Sequence, residues 1–312
     1  MTEFGFIDQI KQLCANLPSN NFEGIGDDCA ILPISGGQSL CYTADLLCEG
    51  VHFLRHAASP YEVGRKSVAV NLSDVAAMGA RPIATLLSIA LPKDAANQWA
   101  EEFMRGYHSM SAEFGVALIG GDTTRSLHEI TINVTAIGLA QDAHLKRRSA
   151  AQVGDVIFAG DVLGASATGL KDILSGNFDT PQAVIHRNPM PQIEEGVWLG
   201  ARSEVHAMMD ISDGVASDLQ HILDQSHVGA TIDMRQIPVA EGSNLKDAAC
   251  GGEDYKLLFT VAGENAETLQ ADFRAHFHKP LYPIGKITAG DSITWLENGI
   301  EKSLDWKGFT HY

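Results

Sequence analysis

Strand and helix periods alternate along a chain of 312 residues and predict a two-domain α/β (α+β) fold. Three observations carry that expectation. The length exceeds the usual size of one domain, so two units sharing an interface are expected. The hydrophobic content of 45% is ample for real cores. The pattern also restarts beyond a tight basic cluster, Lys146-Arg147-Arg148, which puts the boundary near residue 145 and the units at 1–145 and 146–312. No internal repeat, low-complexity tract or flexible linker is apparent, so the halves are expected to pack closely.

The elements follow in order. Ser39 to Asp45 and Glu129 to Gly138 read as strands, the second with Ile130, Ile132, Val134 and Ala136 on one side. Ser59 to Gly79 reads as a helix: Ser59 caps it, Pro60 suits the first turn, Glu62 completes a capping box, and Gly79 with Pro82 closes it. Within it Ser67, Asn71 and Asp74 are spaced by four and three and share one face of a Val, Ala and Leu-rich cylinder. A polar stripe on a buried helix must meet partners, and for an ionised Asp74 a metal or another cation serves best. A second helix is expected from about Asp94 to Gly115, its Trp99, Phe103, Met110 and Phe114 forming a core stripe. In the second half, 156–159 and 230–234 read as strands, Gly164 to Leu174 as a small-residue helix, and Tyr255, Leu257, Phe259 and Val261 as an alternating strand.

Composition excludes several classes. A formal charge of −17, from 39 acidic against 22 basic residues, argues against a nucleic-acid partner, because phosphate backbones are held by clustered Lys and Arg. No apolar run is long enough to cross a membrane, and Met1-Thr2-Glu3-Phe4 lacks a signal-peptide layout, so a soluble, cytoplasmic protein is expected. Cys14, Cys29, Cys41, Cys48 and Cys250 form an odd set without a Cys-x-x-Cys pair, which suits reduced, mostly packed thiols and no zinc. The basic cluster is as well explained by a solvated loop as by a binding site.

The chemistry is concentrated in seven stretches that set carboxylates beside glycines or after apolar runs. They are 24–28 with Asp27 and Asp28, 42–45 with Asp45, Glu49 before Gly50, 71–74 with Asp74, 120–124 with Asp122, 210–214 with Asp210 and Asp213, and 251–254 with Glu253 and Asp254. Any one alone is ordinary turn chemistry. Recurrence is what points elsewhere: so many carboxylates can converge only around cations, and hard oxygen ligands select magnesium or a close relative. Adjacent glycines let backbone approach a phosphate, so the set reads as several magnesium ions holding a polyphosphate. No Walker loop, dinucleotide fingerprint, protein-kinase catalytic set or serine-nucleophile elbow is present.

The strings Gly24-Ile25-Gly26-Asp27-Asp28-Cys29-Ala30, Glu49-Gly50-Val51-His52-Phe53, 70–80 around Asn71-Leu72-Ser73-Asp74, Gly120-Gly121-Asp122-Thr123-Thr124, Asp210-Ile211-Ser212-Asp213-Gly214, Gly251-Gly252-Glu253-Asp254-Tyr255 and the ending Asp305-Trp306-Lys307-Gly308-Phe309 closely resemble the thiamine-monophosphate kinase family. Its wider group is the aminoimidazole ribonucleotide synthetase superfamily, and the resemblance runs in order over nearly the whole chain. It implies an N-terminal sheet domain forming the core of a homodimer, a C-terminal α/β domain completing the site, and ATP-dependent phosphorylation of thiamine monophosphate. Carried onto matching positions, it implies magnesium ligands at Asp28, Thr43, Ala44, Asp45, Asp74, Asp122, Asp210 and Asp213. It further implies ATP contacts at Gly121, Asp122, Arg148 and Ser212, and substrate contacts at His52, Glu253 and Phe309. Ala44 departs from the family, which has a hydroxyl residue there, so that oxygen must come from backbone or water.

Such a reaction needs no nucleophilic side chain and no essential base. The acceptor is a phosphate monoester already ionised near neutral pH, and positioning with charge neutralisation dominates phosphoryl transfer. His52 is as readily a hydrogen-bonding residue as a proton donor, and Phe309 either stacks on a ring or anchors the tail. Two alternatives stay open: another ATP-dependent enzyme of the superfamily, and a nucleotide or divalent-ion sensor without turnover.

Overall fold

The computed structural model describes residues 3–309; Met1 and Thr2, read above for the absence of a leader, lie outside the described residues. The N-terminal part runs α1 (Glu3–Cys14), β1 (Ala30–Ile34), β2 (Gln38–Cys48), α2 (Pro60–Ala77), β3 (Arg81–Leu91), α3 (Gln98–Glu113), β4 (Ala117–Arg125) and β5 (Thr131–Gln141). Its five strands form one sheet in the order β1-β2-β5-β3-β4, antiparallel except for β3 against β4. Helix α2 covers the face built from Ile132, Val134 and Ala136, and is capped as its punctuation predicts: the Ser59 hydroxyl accepts from the Glu62 amide and the Glu62 carboxylate accepts from the Ser59 amide. Helices α2 and α3 touch backbone to backbone at Gly64 and Gly106, where a Cβ would run into Phe103 and Tyr61.

Three expectations are corrected here. Helix α3 begins at Gln98, not near Asp94, because residues 92–97 form a turn and the Asp94 carboxylate accepts from Arg55. The strand at Ser39 continues to Cys48, and that at Glu129 starts only at Thr131. Gly120-Gly121-Asp122-Thr123-Thr124 does not follow a strand; it lies inside β4, the exposed edge of the sheet.

The C-terminal part comprises β6 (Val156–Ala159), α4 (Ala165–Leu174), α5 (Pro181–Arg187), α6 (Ile193–Gly200), β7 (Val205–Asp210), α7 (Val215–Ser226), β8 (Gly229–Asp233), α8 (Leu245–Cys250), β9 (Leu257–Val261), α9 (Ala266–Phe277), β10 (Tyr282–Thr288), β11 (Ile293–Glu297) and β12 (Ile300–Lys302). Its sheet has the order β12-β11-β8-β10-β6-β9-β7. Because successive strand residues face opposite sides, Ile157, Met209 and Leu258 pack with α7 and α8, whereas Phe158, Met208 and Phe259 pack with α6 and α9. Buried on both faces, β9 shows none of the half-exposure that alternation implies, and Tyr255 falls outside it with φ +50°. Helix α2 also reaches across to the second unit: Gly196 of α6 sits against the Ala76 backbone, and Ala77 joins the Phe158–Phe259 core.

The basic cluster is not a solvated loop. Lys146 is buried, its ammonium donating to the carbonyls of Arg202 (2.7 Å) and Val205 (2.8 Å) while its amide donates to Met78, so it ties the two units together. Burial pulls its pKa down to about 8. Lys146→Met should strand both carbonyls and cost about 2–4 kcal/mol, read as a lower denaturation midpoint. An unchanged midpoint would return Lys146 to the solvated class.

Candidate active site

The terminus of β7, the loop before β1, the middle of β2 and the face of α2 deliver carboxylates to one point. Ligand oxygens of Asp28, Asp74 and Asp210 all lie within 4.8 Å of one another. Asp45 adds a fourth charge near Asp74. Its position is fixed through its backbone: the amide donates to Asn71 Oδ1 (3.0 Å) and the carbonyl accepts from Asn133 Nδ2 (3.1 Å). The Ser67, Asn71 and Asp74 stripe is thereby explained in part: Asn71 aims Asp45, and the Thr43 hydroxyl donates to Asp74 Oδ2 (2.5 Å). Ser73, on the adjoining stripe, donates to Asp210 Oδ2 (2.5 Å) across the two units.

Among the described residues, these four carboxylates face a single guanidinium. Arg148 Nη2 donates to Asp28 Oδ1 at 2.7 Å, with 2% of the Asp28 side chain exposed, yet Asp28 Oδ2 and Arg148 Nε are buried with no hydrogen-bond partner. The electrostatics register the deficit of cations. Burial first, then the Asp28 charge, pushes Asp45 up to about 6; the same two causes lift Asp210 to about 8; and burial with Asp45, Asp210 and Asp28 holds Asp74 well above the carboxylate range. A set of hard oxygen donors with an orphaned carboxylate oxygen fits magnesium.

The cluster borders a cleft of about 860 Å³ between the two units. Asp45, Asp74, Ser212, Asp213, His52, Glu253 and Phe309 line it together, and Leu47, Phe53, Leu54, Val63 and Ile173 give it apolar walls. His52 Nδ1 accepts from the Cys48 amide at 3.0 Å, which fixes its ring. The Phe309 amide donates to the Asp213 carbonyl at 3.0 Å, so the tail is laid along the cleft rather than merely trailing from the fold. Glu253 sits in the left-handed region (φ +63°), held there by its amide, which donates a hydrogen bond to the Ser212 carbonyl (2.7 Å). Burial pushes Glu253 up, but Lys66 and His186 outweigh it and leave it below the usual range.

Not every candidate joins. Gly121 and Asp122 lie exposed on β4, where Gly121 is required because a Cβ would meet the Leu87 backbone (C at 2.6 Å, N at 2.8 Å). Ala44 projects to the exposed face of its sheet, opposite Thr43 and Asp45, so a side-chain hydroxyl there would not point at the cluster. Glu49 is paired with Arg55 (2.8 Å) in a separate recess, and Asp254 accepts from the amides of Gly164 and Ser166 at the start of α4. Sequence reasoning missed Lys66, Ser73, Asn133 and His186. For Lys66 and Ser73 a signal existed: both are polar, seven apart, on a helix whose other side chains are mostly apolar.

Residues 26–140 match the AIR synthase related protein N-terminal domain, and residues 152–296 match the AIR synthase related protein C-terminal domain. A thiamine-monophosphate kinase of Buchnera aphidicola subsp. Acyrthosiphon pisum is 36% identical over 326 residues, covering 100% of this chain and 99% of that protein. The thiamine-monophosphate kinase of Escherichia coli (strain K12) is 36% identical over 305 residues, covering 93% and 91%. Among solved structures, AaThiL complexed with AMPPCP and TMP superposes with a TM-score of 0.86 at 31% identity, covering 100% of this chain and 97% of that one.

Proposed function

The chain belongs to the thiamine-monophosphate kinases, within the AIR synthase related proteins, and we propose that it transfers the γ-phosphoryl group of ATP directly to thiamine monophosphate, giving thiamine diphosphate. One observation carries the reading: a single cleft joins a carboxylate cluster suited to cations with a pocket that offers an ionised acid, a fixed imidazole and apolar walls.

Asp28, Asp45, Asp74, Asp210 and Asp213, with oxygens of Thr43 and the Ala44 backbone, would hold magnesium; Asp122, exposed on β4 away from this cluster, would add its ligand to the cleft of a second copy in the dimer. Bound there, the ions would neutralise charge on phosphate oxygens. The chain's own groups do the rest. Arg148 takes up ATP phosphates with its guanidinium, Ser212 supplies a hydrogen bond, Gly121 supplies one from the β4 edge of a second copy, and His52, Glu253 and Phe309 orient the acceptor. No side chain needs to accept a proton from it, since a phosphate monoester is already ionised near neutral pH. We divide the work at residue 145: units 1–145 and 146–312 each contribute one side of the cleft.

The chain would act as a homodimer through the N-terminal sheet. Leu46, Ile83, Leu118 and Ile119 are 52, 39, 44 and 59% exposed there, an apolar face whose β4 edge also carries Asp122. Among the described residues no helix is long and apolar enough to cross a membrane; we place the reaction in the cytoplasm, where ATP is available.

Stereochemistry tests the transfer. With ATP made chiral at the γ-phosphorus, one in-line displacement should invert the configuration in the product. Retention, or a phosphorylated enzyme trapped with ATP alone, would require a two-step path and overturn direct transfer.

A further inference from the structure

Lys66 stands inside α2, far from either helix end, and is 3% exposed. Its ammonium has three neighbours and three protons to give them: Glu253 Oε1 at 2.8 Å, Glu253 Oε2 at 3.0 Å and the His52 carbonyl at 3.1 Å. A buried ion pair is weak as a source of stability, because desolvation offsets attraction and an apolar pair often does as well. Placement on the cleft wall gives it another use. Its two contacts come from both sides: His52 follows β2 in the first unit and Glu253 precedes β9 in the second. Lys66 and Ser73 lie two turns apart on one helix, so α2 sets a fixed spacing of roughly 11 Å between the Glu253 clamp and the carboxylate cluster.

We propose that Lys66 is a positioning residue for the acceptor substrate, fixing the Glu253 carboxylate and the His52 backbone in one geometry across the cleft; the assignment rests on the kinase reading above. With two of its acceptor directions taken by Lys66, Glu253 turns what remains toward N–H donors, the chemistry of an amino-substituted heteroaromatic ring. The other groups facing Glu253 are His186 of α5 at 3.4 Å, His52, and Tyr255 of its own loop. His186 is hydrogen-bonded to the Ser166 hydroxyl at 2.9 Å, and burial and Lys66 drive its pKa down to about 4, so it is neutral at working pH while Lys66 is in place; without Lys66, burial still opposes its charge. Without Lys66, burial is the largest influence on Glu253 and favours its protonated form, and His186 and His52 are left to oppose it.

The test is the affinity for thiamine monophosphate, measured by calorimetry at a series of pH values for wild type, Lys66→Met, Glu253→Gln and the double variant. Lys66→Met should weaken binding about tenfold or more at neutral pH, and the ratio of wild-type to variant affinity should shrink toward alkaline pH as Glu253 regains its charge. Affinity for ATP should stay within about twofold of wild type. The double variant, which leaves no unpaired buried charge, should fold and bind like Glu253→Gln. Wild-type affinity in Lys66→Met at every pH would overturn the assignment, as would a double variant about tenfold weaker than Glu253→Gln, since Lys66 would then act independently of Glu253. A wild-type chain with no affinity for thiamine monophosphate would instead bring down the substrate reading, and this assignment with it.

Discussion

Asp74→Asn is expected to lower turnover by at least about a thousandfold while leaving the protein folded. Asp74 is the point where the cluster is most crowded: it answers to Asp45, Asp210 and Asp28 at once and takes the Thr43 hydroxyl at 2.5 Å. An amide keeps the shape and that hydrogen bond but halves the oxygen donors and removes the charge that a cation needs. The fold has no reason to suffer. Burial and three like charges already oppose ionisation of Asp74, so the variant's thermal midpoint without magnesium should equal or exceed that of wild type. Circular dichroism and a steady-state assay at saturating ATP and magnesium read the two halves of the prediction. Near-normal turnover would remove Asp74 from the cation site.

The same cluster should make the metal-free protein less stable as pH rises, the reverse of the usual carboxylate behaviour. Asp45 is raised to about 6 and Asp210 to about 8, against 3.8 for the free group, so over that interval the folded state holds protons that the unfolded chain has released. Stability then falls with increasing pH, being fully present below the unfolded value and lost as pH passes the folded ones. Buried His186 works the other way: its pKa of about 4, against 6.5, adds stability as pH rises between those values. The clean window therefore opens at pH 6.5 and closes somewhat below 8, where buried Lys146, lowered to about 8 from 10.5, begins to oppose Asp210 and Asp74 in its turn. In this window the metal-free thermal midpoint should drop by roughly 5 °C, magnesium should restore it, and Asp74→Asn should flatten the slope. A metal-free midpoint that does not change across the window would mean that the carboxylates are not forced together.

Much of this was legible beforehand where one residue type solves one local problem. The Ser59, Pro60 and Glu62 punctuation located α2 because each satisfies or forgoes a specific backbone amide. The Ser67, Asn71 and Asp74 spacing announced a polar stripe in an apolar helix, and Asn71 and Asp74 do meet polar partners. Elsewhere, position depended on residues distant in sequence. Lys146 looked solvated among Arg147 and Arg148 because nothing local reveals that the carbonyls of Arg202 and Val205 converge on it. Asp122 resembled the other acids set beside glycines, yet its glycines let β4 run through the motif against the Leu87 backbone and carry it to the sheet edge. Lys66 was hidden by reading only one stripe of α2; its partner lies 187 residues away in sequence.

The account stands most directly on product formation. The purified protein, given ATP and thiamine monophosphate, should yield thiamine diphosphate and ADP in equal amounts when magnesium is present, and neither once the metal is chelated. ADP released without thiamine diphosphate, or diphosphate formed unchanged under chelation, would contradict it.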